Sequence, residues 1–140
     1  MTIEAGLIAP CGMNCALCLG YQRTKNHCPG CHGEDTYKQV SCRSDRCTIA
    51  KCELRQTTES GFCYECPKYP CRRLKDLDKR YRTKYGMSML DNLSFIREHG
   101  LNAFVEKERA RWHCNECGGT ICVHRGYCLQ CGRSASRPCP

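Results

Sequence analysis

The plainest chemistry in this 140-residue chain lies near its C-terminal end, in CNECGG at residues 114–119 and CLQCG at residues 128–132. Zinc takes four sulfur or nitrogen ligands at the corners of a tetrahedron, and each Cys-x-x-Cys-Gly turn delivers two of them from one tight bend. The glycine after the second cysteine accepts a positive φ, which lets backbone N–H groups point at the sulfurs. Ten residues separate the pairs, enough for a short hairpin. Cys114, Cys117, Cys128 and Cys131 are therefore expected to close one metal site of the zinc-ribbon kind. Inside the hairpin, Cys122 and His124 fall two residues apart and so on one strand face. Two ligands alone make no closed site, so a buried thiol beside a hydrogen-bonded histidine is preferred to a spare half-site.

The N-terminal half repeats the grammar less cleanly. CALC and CPGCHG place Cys15, Cys18, Cys28 and Cys31 in two pairs nine residues apart, a second candidate site that leaves Cys11 over. His27 and His32 flank the second pair and are either substitute ligands or solvated neighbours. A third group runs through CRSDRCTIAKCELRQTTESGFCYECPKYPC, where six cysteines compete for four positions. Cys47, Cys52, Cys63 and Cys66 are assigned to it, with Cys71 in reserve and Cys42 unassigned. All-cysteine sites suit zinc and iron–sulfur clusters alike, since both favour soft thiolates. Zinc in about three sites is the first reading. A [4Fe–4S] cluster in the N-terminal half is the alternative, with Cys11, Cys15 and Cys18 giving three ligands and Cys28, Cys66 or Cys71 a fourth.

The Cys-x3-Cys-x2-Cys spacing of CGMNCALC, residues 11–18, is also that of radical S-adenosylmethionine enzymes. Such an enzyme needs a partial barrel of parallel strands, and a full barrel takes about 250 residues. Knuckles rather than alternating strands and helices follow Cys18, and no Gly-rich segment appears. Nor can paired carboxylates or a Ser/His/Asp arrangement be read, so neither a catalytic residue nor a small-molecule cofactor site is assigned and the chain is not expected to be an enzyme.

Something must position these thiols, and ordinary apolar burial is scarce. Leu, Ile, Val and Phe make up about 15% of the chain, below the roughly 20% typical of chains that stay disordered. The 17 cysteines must compensate, as a disulfide framework or as metal sites. The opening MTIEAGLIAPCG has none of the features of a secretory leader, no run of about 18 apolar residues spans a membrane, and the cysteine count is odd. A reduced, metal-bound, cytoplasmic protein is expected. The formal charge of +8 counts thiols as neutral, whereas a zinc on four thiolates carries about −2, so part of the basic excess balances the sites.

Cysteine spacing divides the chain into a Cys-rich metal-binding region at 1–71, a helical segment at 72–113, a ribbon-like knuckle pair at 114–132 and a mobile tail at 133–140. The helical segment reads as three short helices. RRLKDLDKRYRTKYG ends at Gly86; SMLDNLSFIREHG starts at a Ser88 cap with Leu90, Leu93 and Ile96 on one face; NAFVEKERARW starts at an Asn102 cap with Phe104, Val105 and Trp112 as anchors. These helices are expected to form the only conventional core, and TICVHRGY the small hairpin. The fold class is a small, metal-stabilised α+β protein: irregular Cys-rich knuckles, a short helical middle and a C-terminal zinc ribbon.

APCGMNCALC, CPGC, CTIAKC, CYECPKYPC, YGMSMLDNLSFIREHG and WHCNECGGTICVHRGYCLQCG together resemble the bacterial and archaeal cysteine-rich proteins grouped as domain of unknown function 3795, over about residues 8–132. The resemblance implies a small cytoplasmic protein taken to bind metal through its cysteines, and it implies no activity. It brings Cys11 and Cys71 back among the candidate ligands and leaves Cys42 and Cys139 as additions.

Two functions fit. One is a binding module whose metals are structural. Its surface would be the basic helix at 72–85, where Arg72, Arg73, Lys75, Lys79, Arg80, Arg82 and Lys84 alternate with Tyr81 and Tyr85. Cations can meet phosphates or an acidic protein while tyrosines stack on bases. Against this stands a merely solvated face partly neutralised by Asp76 and Asp78, with the tyrosines packed on a neighbour. The other function is a redox or metal-handling protein using an N-terminal cluster or surplus thiols such as Cys42 and Cys122.

Overall fold

The computed structural model describes residues 3–132; the tail expected to be mobile at 133–140, with Cys139, lies outside the described residues. Three helices carry most of the regular structure. α3 (Arg72–Tyr85) ends at Gly86, whose φ of 68° closes the helix in the left-handed conformation that glycine adopts without strain. Arg82 and Lys84 occupy its last turn, where cations offset the negative end of the helix dipole. Leu74 and Asp78 are buried, and Leu77, Tyr81 and Tyr85 are half-buried beside them, so one stripe faces inward while all seven cationic side chains stay exposed.

α4 (Met89–His99) starts at Ser88, whose hydroxyl accepts the Asp91 N–H at 3.1 Å, the expected cap. Its buried face is Met89, Asn92, Leu93 and Ile96; Leu90 is only half-buried. The stripe follows a four-then-three step instead of the expected threes, because the inward face must also meet the N-terminal loop. α5 (Leu101–Arg111) follows at once. Gly100, at φ 93°, ends α4 and caps α5, so Asn102 is an exposed residue of the first turn rather than the cap. Phe104, Val105 and Trp112 are buried as expected. α3 packs on α4, and α4 on α5.

The core is not confined to these helices. Ile3, Leu7, Ile8, Ala9, Met13, Ala16 and Leu17 enter it from the N-terminal segment, Ile49 from the middle of the Cys-rich region, and Ile121 and Val123 from the C-terminal hairpin. Ile8 pairs with Asn14, and the Ala9 N–H donates to Met13 O at 2.8 Å, closing a tight loop around Gly12. Asn92 donates from Nδ2 to Gly12 O at 2.9 Å, fastening that loop to α4. Asn14 donates to Glu108 Oε1 of α5 at 3.3 Å. Both asparagines are almost fully buried, as polar groups can be only when bonded.

Between Leu17 and Cys71 the backbone runs through turns, two four-residue helices, α1 (Leu19–Gln22) and α2 (Glu53–Gln56), and short 3-10 turns. The scarcity of apolar residues there is offset by side chains clipped to carbonyls. Arg55 donates to Ile49 O, Ala50 O and Gly61 O at 2.9, 2.6 and 2.8 Å. The buried Lys38 donates to Cys31 O at 2.8 Å and pairs with Asp35 at 3.1 Å.

The only sheet among the described residues is the hairpin of β1 (Ile121–Cys122) and β2 (Tyr127–Cys128), antiparallel, with Ile121 opposite Cys128. It is tied to both ends of the molecule: the Ile121 N–H donates to Trp112 O at 2.8 Å and the Val123 N–H to Leu17 O at 2.9 Å. No described helix is long and apolar enough to cross a membrane.

Candidate metal centres

Trp112 hands the chain directly into the first C-terminal cysteine pair, and the β1–β2 hairpin returns it to the second. Their four sulfurs, on Cys114, Cys117, Cys128 and Cys131, all lie within 4.8 Å of one another. Cys114 and Cys131 are 3.7 Å apart, and Cys117 and Cys128 3.5 Å. A zinc–sulfur bond of about 2.3 Å in a tetrahedron puts sulfurs about 3.8 Å apart, so the thiols already stand at the spacing of a single ion. Gly118 and Gly132 take φ of 78° and 70°, as the Cys-x-x-Cys-Gly spacing requires. A Cβ on Gly119 would lie 3.3 Å from Cys117 Sγ and would push aside the end of the flexible Gln130 side chain.

Electrostatics prepare the quartet for a cation. N–H groups of Cys117 and Glu116 point at Cys114 Sγ and hold its pKa down to about 7. Cys117 receives the Gly119 N–H, but its close sulfur neighbours, Cys128 first, push it up to about 12. Four thiols this close cannot all ionise alone, and a divalent ion removes that conflict. Cys114 and Cys128 are fully buried; Cys117 is exposed and Cys131 half-buried.

His124 and Cys122 stay outside the quartet. His124 Nδ1 accepts the Leu19 N–H at 3.2 Å, which leaves Nε2 protonated to bond Tyr81 Oη at 2.9 Å. Tyr85 packs edge-on against the same ring at 5.0 Å. Both tyrosines of the basic helix are thereby turned onto the hairpin. Burial, then the nearby Arg125 charge, depresses the His124 pKa. Cys122 is buried within β1.

The N-terminal cysteines form two neighbourhoods. Cys15, Cys18, Cys28 and Cys31 lie near one another around Gly20 of α1 and Gly30; a Cβ on Gly20 would sit 3.5 Å from Cys28 Cβ and 3.7 Å from Cys18 Sγ. Burial first, and then mutual repulsion, pushes Cys15 up to about 12, although the Cys31 N–H points at it. Cys42 and Cys47 border this group, their charges acting on Cys31. His32 bonds Ile8 O at 3.0 Å and His27 bonds Tyr21 O.

The second neighbourhood is a pocket of about 140 Å³ lined by Cys52, Cys63, Cys66 and Cys71 together with Arg55 and Arg73. Cys71 thus stands where the sequence suggested Cys47. Cys52 and Cys71 are the residues that cap α2 and α3, and Cys63 opens a 3-10 turn, so three helix ends aim at one space. Cys11 lies between the two neighbourhoods, close to Cys15, Cys31 and Cys63. Among the described residues, the C-terminal quartet is the one group of three or more donors gathered closely enough for a single ion.

The burial of the polar residues Asn14, Lys38, Asp78, Asn92 and Glu108 was not expected from the sequence. Asp78, read there as a surface charge, accepts Ser88 Oγ–H at 2.6 Å and the Leu90 N–H at 3.1 Å, tying α3 to the start of α4.

Fold and site together define a small cysteine-rich α+β protein with a four-cysteine group able to hold a metal ion. The family model described as protein of unknown function (DUF3795) matches residues 7–76, half of the chain, and the chain belongs to that family. The match takes in all eleven N-terminal cysteines and stops within α3, well short of residue 132, so the converged quartet lies outside it. No curated protein and no solved structure matches the chain.

Proposed function

We propose that this protein is a metal-binding module whose C-terminal quartet holds zinc as a structural ion, with further cysteine-ligated metal in the N-terminal half. The observation that carries this is the spacing of Cys114, Cys117, Cys128 and Cys131, within 4.8 Å of one another and close to the tetrahedral edge around zinc. Four protein sulfurs leave no open position for substrate, which favours a structural over a catalytic ion. The hairpin they would pin contributes Ile121 and Val123 to the core, so metal binding there supports folding directly. Such thiols suit a reducing compartment such as the cytoplasm.

On this reading the partner, a protein or a nucleic acid, meets the exposed cations of α3. Because Tyr81 and Tyr85 pack on His124, a nucleic acid would be held through phosphates rather than stacked bases, and binding would weaken steeply with salt. The test is zinc content of protein purified under reducing, oxygen-free conditions, for the native chain and a Cys117→Ser variant. After dialysis of both against a zinc chelator, loss of about one zinc per chain from the variant but not from the native chain supports the reading; equal zinc in both after that challenge overturns it.

A further inference from the structure

We infer that Cys52, Cys63, Cys66 and Cys71 hold an iron–sulfur cluster in the pocket they line, rather than a single metal ion. Four soft thiolates and nothing else of comparable affinity converge there, the donor set of both common cluster types. Size separates the two occupants. An ion draws its sulfurs to edges of about 3.8 Å, near the 3.5 and 3.7 Å of two pairs in the C-terminal quartet. Among the described residues, the pocket's four sulfurs are not gathered into a single-ion group as the quartet's are. A cluster spreads its thiolates over different irons and so does not need them drawn that close. The volume agrees: a cavity of about 150 Å³ admits a benzene-sized group, and this one measures about 140 Å³. One ion would leave most of it empty.

The walls suit a cluster as well. Ile49 and Leu74 are buried and supply an apolar lining. A four-iron core on four thiolates carries about −2 overall. Two cations answer it, Arg55 and Arg73. Arg55 is fixed by its three carbonyl bonds. The cysteines themselves are anchored: the Cys63 N–H donates to Pro10 O at 3.0 Å, and the carbonyls of Cys52 and Cys71 accept the first bonds of α2 and α3, from Gln56 N at 3.1 Å and Lys75 N at 3.0 Å. The proposal does not depend on zinc in the C-terminal quartet.

The full-length protein, expressed with ample iron and purified without oxygen, is analysed for iron, acid-labile sulfide and zinc and by its absorption spectrum. Iron and sulfide in equal amounts, about four of each per chain, with broad brown absorbance, are expected. A Cys66→Ala/Cys71→Ala double variant should lose both while keeping the zinc that Cys117→Ser removes, so the two centres are read separately. Alkylation of the native chain gives a measurement that does not depend on a variant's folding. Cys52, Cys63, Cys66 and Cys71 should be protected while iron is bound and labelled after chelation. Zinc without sulfide in this pocket, iron retained by the double variant, or labelling of the four cysteines with iron still bound would each overturn the assignment.

Discussion

Cys117→Ser isolates the metal's contribution at the C-terminal quartet, because Cys117 is the quartet's one exposed member and replacing it opens no core cavity. Structural zinc sites bind with about 10–16 kcal/mol at neutral pH, so an even share per ligand is about 2.5–4 kcal/mol. At about 1.4 kcal/mol per decade this weakens zinc binding roughly 100-fold or more. Serine keeps the size of the side chain but not a thiolate, and the Gly119 N–H that now points at Cys117 sulfur would face a neutral hydroxyl. Competition against a chromophoric zinc chelator, in oxygen-free reducing buffer, measures the ratio. The matched control is Cys122→Ser, which lies within β1, is completely buried and is not part of the quartet. It should cost about 1–3 kcal/mol of folding stability through its buried hydroxyl while leaving zinc affinity within about threefold. Equal affinity of Cys117→Ser and the native chain would refute the reasoning, as would a loss in Cys122→Ser as large as in Cys117→Ser.

Gly12→Ala should destabilise by at least about 1–3 kcal/mol, since Gly12 sits at φ 92° and a Cβ would come within 2.8 Å of Met89 O and 3.0 Å of Leu93 Cγ; a lower denaturant midpoint at unchanged slope checks it. Asp78→Ala leaves Ser88 Oγ and the Leu90 N–H without their acceptor and should cost about 1–3 kcal/mol, with Asp78→Asn losing less because one acceptor oxygen remains. His124 has a depressed pKa in the folded protein, so the unfolded chain takes up the proton first. Its contribution is intact above the ordinary value of 6.5 and is lost as pH falls from there through the folded pKa. The groups facing the ring are Tyr81, Tyr85 and Arg125. Comparing thermal midpoints of the native chain and His124→Asn between pH 7.5 and 5 should show a steeper fall in the native chain.

The helices and the C-terminal quartet were legible because their signals are local. A Cys-x-x-Cys-Gly turn carries its own backbone conformation, and two such turns ten residues apart can close on one ion wherever the rest of the chain goes. Ser88 and Gly86 likewise mark helix ends through bonds to residues a few positions away. Partitioning eleven N-terminal cysteines is a different problem. With six thiols within thirty residues, spacing alone allowed Cys47 or Cys71 as the fourth member of the third group. In the structure Cys71 lines the same pocket as Cys52, Cys63 and Cys66, because α3 starts there and packs against α4, which in turn meets the 3-10 turn of Cys63.

Long-range packing decided the remainder. Nothing in the spacing of Asn14 or Asn92 says that one will bond α5 and the other cap the Gly12 loop, since their partners lie 94 and 80 residues away. Tyr81 and Tyr85 read as a possible base-stacking surface until the hairpin brought His124 against them. The sequence by itself determined the donor chemistry, the helical middle and the two C-terminal Cys-x-x-Cys-Gly turns, all properties of neighbouring residues. Which sulfurs share a space, and how wide that space is, belonged to the tertiary structure, because the distance between turns depends on the core that all of them pack against.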